Sequence, residues 1–343
     1  MTRETPSGLL ISVVVPMFNE AEALDAFFDR LVPVLRGITA DYEVICVDDG
    51  STDSTFDLLT RRHAGDGRIK VLRLSRNFGK EIALTAGLDF ARGAAVIPID
   101  ADLQDPPELI PELVAKWREG FDVVLARRAD RSADSLKKRL TAGGFYRMIG
   151  RLSKIPIPAN VGDFRLMDRR VVGALALLPE RTRFMKGVFA WLGFPQATVD
   201  YQRAPRIAGA AKQRFHPLWN LALEGIVSFT NLPLKIWSYV GFACAAAAAA
   251  YGGYIVARTV VYGVEVPGYA SLLTVVLFMN GLILLGLGII GEYLSRIFIE
   301  IKGRPLYLVR DRLGALEPAA VPAGVRNVNA PAADEPARPG ADG

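Results

Sequence analysis

The chain has 343 residues, a net charge of +5 and two cysteines, Cys46 and Cys244. Its apolar share of 51% is high for a soluble protein and is concentrated between Ile236 and Gly291, so the length holds a domain with a sizeable core plus something more. Two isolated cysteines exclude a disulfide scaffold, and without an aromatic-and-basic nucleic-acid motif the positive charge points to a membrane surface or a phosphorylated substrate, not to nucleic acid.

Met1 to Pro6 leads directly toward a strand, without the apolar segment and cleavage site of a signal peptide. The expectation is therefore that the chemistry stays on the cytosolic side. Leu10 to Val15 is a continuous apolar, β-branched run, the pattern of a strand buried on both faces. A loop, Pro16-Met17-Phe18-Asn19-Glu20, precedes a helix expected from Ala21 to Leu35. The scheme then repeats. Tyr42 to Val47 reads as a strand, Asp48-Asp49-Gly50-Ser51 as a turn, and Asp53 or Ser54 as the cap of a helix through Leu59. Ile69 to Leu74 is the third strand, Ser75 to Lys80 a loop, and Glu81 to Ala91 a helix.

The fourth strand runs into Asp100-Ala101-Asp102-Leu103-Gln104-Asp105-Pro106-Pro107. On an extended backbone, carboxylates spaced i, i+2 point to one side. Hard oxygen donors of this kind suit Mg²⁺ or Mn²⁺, and Gln104 adds a neutral oxygen. The alternative is an acidic strand-to-helix turn, since Pro107-Glu108-Leu109 starts a helix toward Glu119. Phe121 to Ala126 is the fifth strand, closed by Arg127-Arg128. Strands alternating with helices imply a mostly parallel sheet whose ligands bind beyond the carboxyl ends of its strands. The loops at Asn19-Glu20, Asp48-Asp49, Asn77-Lys80 and Asp100-Asp102 all belong to that edge. No Gly-x-Gly-x-x-Gly follows the first strand and no P-loop lysine is present, which argues against a dinucleotide or ATPase site.

Beyond the fifth strand the character changes. Lys137-Lys138-Arg139 opens a helical stretch toward Leu152, Asn160 to Asp163 reads as a turn, Phe164 to Met167 as a short strand and Arg169 to Leu178 as a helix. Arg203, Arg206, Lys212 and Arg214 form a spread basic segment around Gly209. Phe215 to Thr230 has the make-up of an interfacial amphipathic helix. Ile236 to Ala257 and Val266 to Gly291 are then 22 and 26 residues without a charge. At a rise of ~1.5 Å per residue they extend ~33 and ~39 Å, enough to cross a hydrocarbon core of ~30 Å. Cations crowd the outer flanks of the pair: Lys235 before it, and Arg296, Lys302, Arg304, Arg310 and Arg312 after it. Positive charge marks the cytosolic side, so both termini are expected in the cytosol, with Arg258 snorkelling. From Pro318 the chain is Ala, Pro and Gly with scattered charges, the composition of a disordered tail.

Val13 to Glu20, Val47 to Asp53, Asn77-Phe78-Gly79-Lys80 and Asp100 to Pro107 resemble the successive motifs of family 2 glycosyltransferases, in the branch that uses polyprenyl phosphates. The ordered set is far more specific than any one motif, and the likeness runs from about residue 10 to 312. It implies a GT-A (Rossmann-like α/β) catalytic domain over residues 1–214, an interfacial helix over 215–232, two transmembrane helices over 233–294, a cytosolic juxtamembrane segment over 295–314 and a tail over 315–343. By match, Pro16, Phe18, Asn19, Glu20, Asp48, Asp49, Ser51, Gly79, Lys80, Asp100 and Ala101 hold the nucleotide-sugar, and Asp100, Asp102 and Gln104 hold the metal on its diphosphate. Arg127, Lys138, Arg206 and Lys212 meet the lipid phosphate. The basic loop departs from the family pattern in an extra Ala208 before Gly209 and in Ala211 where serine is usual.

The reaction so implied is an inverting transfer of a hexose, with UDP-glucose the preferred donor, to a polyprenyl phosphate such as undecaprenyl phosphate. Mannose, N-acetylhexosamine and modified arabinose donors stay open. The nucleophile is a phosphate oxygen with a second pKa of about 6, so no general base is required. Asp163 either orients acceptor or sugar or simply forms its turn. The resemblance also implies a multi-pass protein of the bacterial inner membrane and allows a homo-oligomer, a tetramer by likeness to bacterial members. Two rivals differ in class. A processive polysaccharide synthase needs a Gln-x-x-Arg-Trp motif, where this chain has Phe189-Ala190-Trp191-Leu192-Gly193. An idle protein that only binds or moves the lipid carrier has no use for Asp100-x-Asp102 and Asn19-Glu20.

Overall fold

The computed structural model describes residues 10–129, 161–178, 180, 185–202, 232–263 and 268–318. The helical stretch expected at 137–152, the interfacial segment 215–230 and the tail beyond 318 lie outside the described residues. The rest forms two compact units, one holding the described residues up to 202 together with 304–318, the other the helical hairpin between.

The first unit is built on an eight-stranded sheet. Its elements in chain order are β1 (Ile11–Met17), α1 (Ala21–Ile38), β2 (Tyr42–Asp48), α2 (Thr55–Gly65), β3 (Ile69–Leu74), α3 (Lys80–Phe90) and β4 (Ala95–Pro98). A 3₁₀ turn (Pro107–Leu109) then leads into α4 (Ile110–Arg118), followed by β5 (Val123–Arg128), β6 (Val161–Asp168), α5 (Arg169–Ala176), α6 (Met185–Trp191) and β7 (Gln196–Tyr201). After the hairpin comes β8 (Val309–Leu313). The strand order is β7-β5-β6-β4-β1-β2-β3-β8. The four apolar runs of the N-terminal half make a parallel core, β4-β1-β2-β3. β1 buries both faces: Val13 and Val15 join the main core with Leu24, Phe27 and Phe28 of α1 and Trp117 of α4. Val14 faces α3, which lies so close that a Cβ on Gly87 would stand 2.2 Å from the Val14 side chain. Each such buried side chain contributes about 1.5–3 kcal/mol relative to exposure.

Three findings amend the sequence reading. The sheet is mixed: β5 does not follow β4 in parallel, because β6 inserts between them antiparallel to both. Asp163 consequently lies within β6 and not in a turn. The catalytic unit also does not end at 214. After the hairpin the chain returns and β8 pairs antiparallel with β3 at the sheet edge. Around it, the Ser75 N–H donates to Leu308 O, the Tyr307 hydroxyl to Asp89 and Arg92 to Glu317, while Leu316 is 5% exposed. Residues 304–318 are thus part of the domain, not a loose juxtamembrane stretch running into a tail.

The second unit is α7 (Leu232–Tyr262) and α8 (Tyr269–Ile301). They are 31 and 33 residues long, longer than the charge-free runs that mark them in the sequence. Each carries a stretch long and apolar enough to cross a membrane, Tyr239–Tyr262 and Phe278–Ile301. Almost none of either stretch is buried, with Phe242, Val260, Leu284 and Ile301 among the large side chains left exposed. A core helix of a soluble protein covers such residues, so a lipid environment accounts for them better. The two helices meet where the Trp237 indole lies against Gly286, whose Cβ would fall 1.8 Å from the indole nitrogen.

Candidate functional site

β1 is the strand at which the strand order reverses: β2 lies on one side of it and β4 on the other, both parallel to it. In an open α/β sheet the crevice beyond the carboxyl end of that strand is the place for a ligand. The loops after β1, β2, β3 and β4 converge there, joined by the start of the antiparallel β6, whose Val161 pairs with Arg127 at the end of β5.

On the β1–β2 side the loops are stitched together by their own side chains. The Asn19 N–H donates to Ser51 Oγ at 3.0 Å, and Thr52 N–H returns to Asn19 Oδ1 at 2.8 Å. Asn19 takes a left-handed φ of 55°, which asparagine tolerates better than most residues. The Ser51 N–H donates to Asp48 Oδ1 at 3.0 Å, and Arg73 sits 3.3 Å from Asp48 Oδ2. Glu20 N–H donates to Thr55 Oγ1. Asp53, proposed from sequence as a cap, accepts from Thr55 N–H at 3.0 Å and from Ala21 N–H at 3.3 Å, so one carboxylate serves two helix starts. Burial raises its pKa, but these hydrogen bonds outweigh it and hold Asp53 below the usual carboxylate range.

Asp49 is 2% exposed and gives both oxygens to the loop after β3, accepting from Phe78 N–H at 2.7 Å and Gly79 N–H at 2.8 Å. Burial pushes its carboxyl up, the two amides pull it down, and Asp48 adds to the rise. Gly50 between the two loops has φ 70°, and a Cβ there would stand 2.6 Å from the Arg76 carbonyl carbon, so only glycine fits. Gly79 has φ 98° and opens α3, whose first residue is Lys80.

On the β4 side the pair of aspartates stands on a turn, not on the extended backbone expected from sequence. β4 ends at Pro98; the Ile99 N–H still reaches Val14 O, and the chain then turns through Ala101 and Asp102. Buried Ala101 and Leu103 pin that turn to the core, and Leu103 takes a φ of 56° to do so. Ala101, 3% exposed, therefore offers no side chain to the crevice. Asp102 Oδ1 accepts from the Gln104 N–H at 3.1 Å. Lys80 Nζ lies 2.7 Å from Asp100 Oδ2 and 2.8 Å from Asp163 Oδ2. Burial lowers the Lys80 pKa, but the two carboxylates outweigh it and hold the ammonium well above the usual lysine range. Burial pushes the Asp100 carboxyl up, against the pull of Lys80 and with the help of Asp163 and Asp105.

The site is thus a band of carboxylates crossed by one lysine. Among the described residues no three His, Cys, Asp or Glu side chains converge closely enough to cage a metal alone. The donor set, two carboxylates and a neighbouring amide oxygen, still fits a hard divalent ion, because Mg²⁺ and similar ions bind through one or two carboxylates and complete their shell with substrate phosphates and water.

Arg127, proposed from sequence for the acceptor phosphate, makes a two-pronged pair with Asp200, at 2.6 and 2.8 Å, across the β5–β7 register. Lys138, Arg206 and Lys212 lie outside the described residues. The structure adds members that the sequence did not single out. Arg128, one residue on, turns toward the carboxylates: its Nε is 3.4 Å from the Tyr201 hydroxyl, which donates to buried Asp105. Burial and Asp105 push the Tyr201 phenol up to about 12. Arg165, 3% exposed, donates to the carbonyls of Gly162 and Asp163 and lies 4.0 Å over the Phe189 ring, fixing the strand that carries Asp163. Asp105 was legible as part of its motif; Tyr201 and Arg165 had no signal beyond their residue types.

Comparisons with known proteins bear on this geometry. The profile of Glycosyl transferase family 2 matches residues 12–175, and that of the GtrB C-terminal hairpin matches residues 232–297. An uncharacterised glycosyltransferase of Synechocystis is 54% identical over 304 residues, covering 89% of this chain and 96% of that relative. A prophage-derived bactoprenol glucosyl transferase of Shigella flexneri is 48% identical over 300 residues, 88% of this chain and 97% of the relative. A prophage bactoprenol glucosyl transferase homologue of Escherichia coli is 47% identical over 300 residues, 88% and 98% of the two chains.

Proposed function

This chain belongs to glycosyl transferase family 2, and we propose that it transfers glucose from a nucleotide-sugar, with UDP-glucose the preferred donor, to a polyprenyl phosphate. One observation carries the proposal: 48% identity to a bactoprenol glucosyl transferase runs through 97% of that relative, catalytic loops and hairpin alike. An idle carrier-binding protein would not keep the donor crevice together with its acidic turn.

In this reading the β1–β2 loops bind base and ribose, through Pro16, Phe18, Asn19, Glu20, Asp48 and Ser51. Asp49 acts on the donor indirectly, by holding the Gly79–Lys80 corner in place. Asp100, Asp102 and Gln104 hold a divalent ion, Mg²⁺ or Mn²⁺, which when bound stabilises the departing diphosphate as a Lewis acid. Arg128 faces the acceptor phosphate from the carboxylate side of the crevice. Arg127, Lys138, Arg206 and Lys212 are assigned the same task by the family match, offsetting repulsion between two phosphorylated partners. Asp163, held by Arg165 beneath and Lys80 beside it, orients the attacking oxygen or the sugar. That oxygen is already ionised near neutral pH, with a second pKa of about 6, so Asp163 does not have to remove a proton.

The hairpin supplies the location. A polyprenyl tail stays in the bilayer and a nucleotide-sugar stays in water, so the crevice belongs at the cytosolic face of the inner membrane. The flanking cations add attraction to anionic lipid of about 1 kcal/mol each near the surface. The test is a screen of UDP-glucose, GDP-mannose, UDP-N-acetylhexosamine and a modified arabinose donor against undecaprenyl phosphate, read by mass spectrometry of the lipid. Glucosyl lipid from UDP-glucose is the expected product. Turnover of another donor alone reassigns the sugar, and no lipid product from any donor rejects the transferase reading.

A further inference from the structure

The Lys80 ammonium stands within 2.8 Å of both Asp100 and Asp163, so one of the two oxygens that Asp100 could offer a divalent ion is already engaged by a cation. We propose that Lys80 is a built-in counter-ion that competes with the metal for Asp100, and that metal and donor together displace it onto Asp163 and the donor's diphosphate. The inference rests on the metal-dependent reading above and goes beyond it by naming what the ion must remove.

Three observations lead here. First, the carboxylates need a cation when no ligand is bound. Asp100 and Asp163 share the Lys80 ammonium at 2.7 and 2.8 Å, so the two carboxylates are neighbours and Lys80 answers their repulsion. Second, the head of Lys80 is free to move while its backbone is not. Gly79 and Phe78 are bound to Asp49, and Lys80 begins α3, but four methylenes separate that fixed backbone from an ammonium with three rotatable donors. The side chain keeps 45% of its surface exposed, so it has room to swing. Third, the second anchor is already in place. Asp163 is fixed through the Arg165 bonds to its strand, and it can keep the ammonium when Asp100 is taken.

A lysine and a divalent ion that share one carboxylate repel strongly at contact distance. The metal alone must therefore bind against Lys80. A diphosphate relieves that opposition, because it gives the displaced ammonium a new anionic partner. Metal and nucleotide should then strengthen one another, and this coupling must be reciprocal. Such a site keeps the free ion loosely and commits it only when the donor arrives.

The test measures Mn²⁺ affinity on the full chain in detergent, by the loss of the free-ion electron paramagnetic resonance signal, with and without UDP. Lys80→Met should tighten Mn²⁺ alone by about tenfold or more, since a positive charge is removed from contact with the ion, and UDP should then add less than it does in the wild type. Lys80→Gln should behave as Lys80→Met, and Lys80→Arg, which keeps the charge, should remain near wild type. Adding Asp100→Asn to Lys80→Met should abolish the gain. General damage to the site weakens binding, so a gain separates this role from a structural one. Unchanged or weaker Mn²⁺ affinity in both Lys80→Met and Lys80→Gln, with wild type binding normally, overturns the proposal alone. No Mn²⁺ binding in any variant, with UDP present, refutes the metal reading itself, and the counter-ion role falls with it.

Discussion

Substituting Asp49 tests whether the donor loops are held by buried chemistry or merely lie near one another. Its two carboxylate oxygens take the Phe78 and Gly79 amides at 2.7 and 2.8 Å, with the side chain almost fully buried. In Asp49→Asn one oxygen survives as an acceptor, and the new NH₂ group faces a backbone N–H, donor against donor. One hydrogen bond to a charged acceptor is worth about 1.5–3 kcal/mol. Part of that is returned, because the neutral amide escapes the burial and the Asp48 repulsion that push the acid's pKa up. A net loss of about 2 kcal/mol follows, or a fall in Tm of about 4–8 °C for a unit of this size. The loop also carries Lys80, so donor affinity should fall by about tenfold, the equivalent of 1.4 kcal/mol. Thermal unfolding and UDP-glucose titration of the full chain in detergent read both quantities. An Asp49→Asn protein that melts within about 1 °C of wild type and binds donor equally well would refute the tether.

Asp102→Asn keeps shape and removes a ligand charge, so turnover should fall at least about 10²-fold with the fold intact, and chelation should have the same effect; full activity in EDTA would remove the metal from the mechanism. The orientation of the hairpin can be read with single cysteines in a background lacking Cys46 and Cys244. Gly263→Cys, at the end of α7, should react with an impermeant thiol reagent from outside intact spheroplasts, and Ser132→Cys only after lysis; labelling of position 132 from outside would reverse the topology.

The parts of this molecule legible in its sequence are those governed by continuous apolar runs. β1 and β2 announce themselves because both faces are buried, and α7 and α8 because charge is absent for long stretches. The parts that escaped depend on long-range pairing. The short apolar run Phe164 to Met167 gives a strand but not its direction, so the antiparallel insertion of β6 is invisible locally. β8 reads Val-Arg-Asp-Arg-Leu, three of its five residues charged, because it is an edge strand with one side toward water. Arg127 and Arg128 alternate across the sheet, and the register of β5 against β6 shifts between Leu125 and Arg127, so no count along the chain decides which arginine turns to the carboxylates. The aspartate pair was found, but not its turn, since buried Leu103 bends the backbone away from the extended path that the spacing suggests.

The return of β8 to β3 has a consequence for how the protein is made. Because the last strand of the sheet lies downstream of the hairpin, the hairpin is an excursion within the catalytic domain and not a tail attached to it. A ribosome delivers β3 more than two hundred residues before its edge partner. Until then one side of β3 offers unpaired N–H and C=O groups to any passing strand. The two long apolar helices emerge in that interval, ahead of residues 309–313. Completion of the sheet thus waits until the whole hairpin has been made, and a molecule that stops short of β8 keeps an open edge that invites pairing with its neighbours.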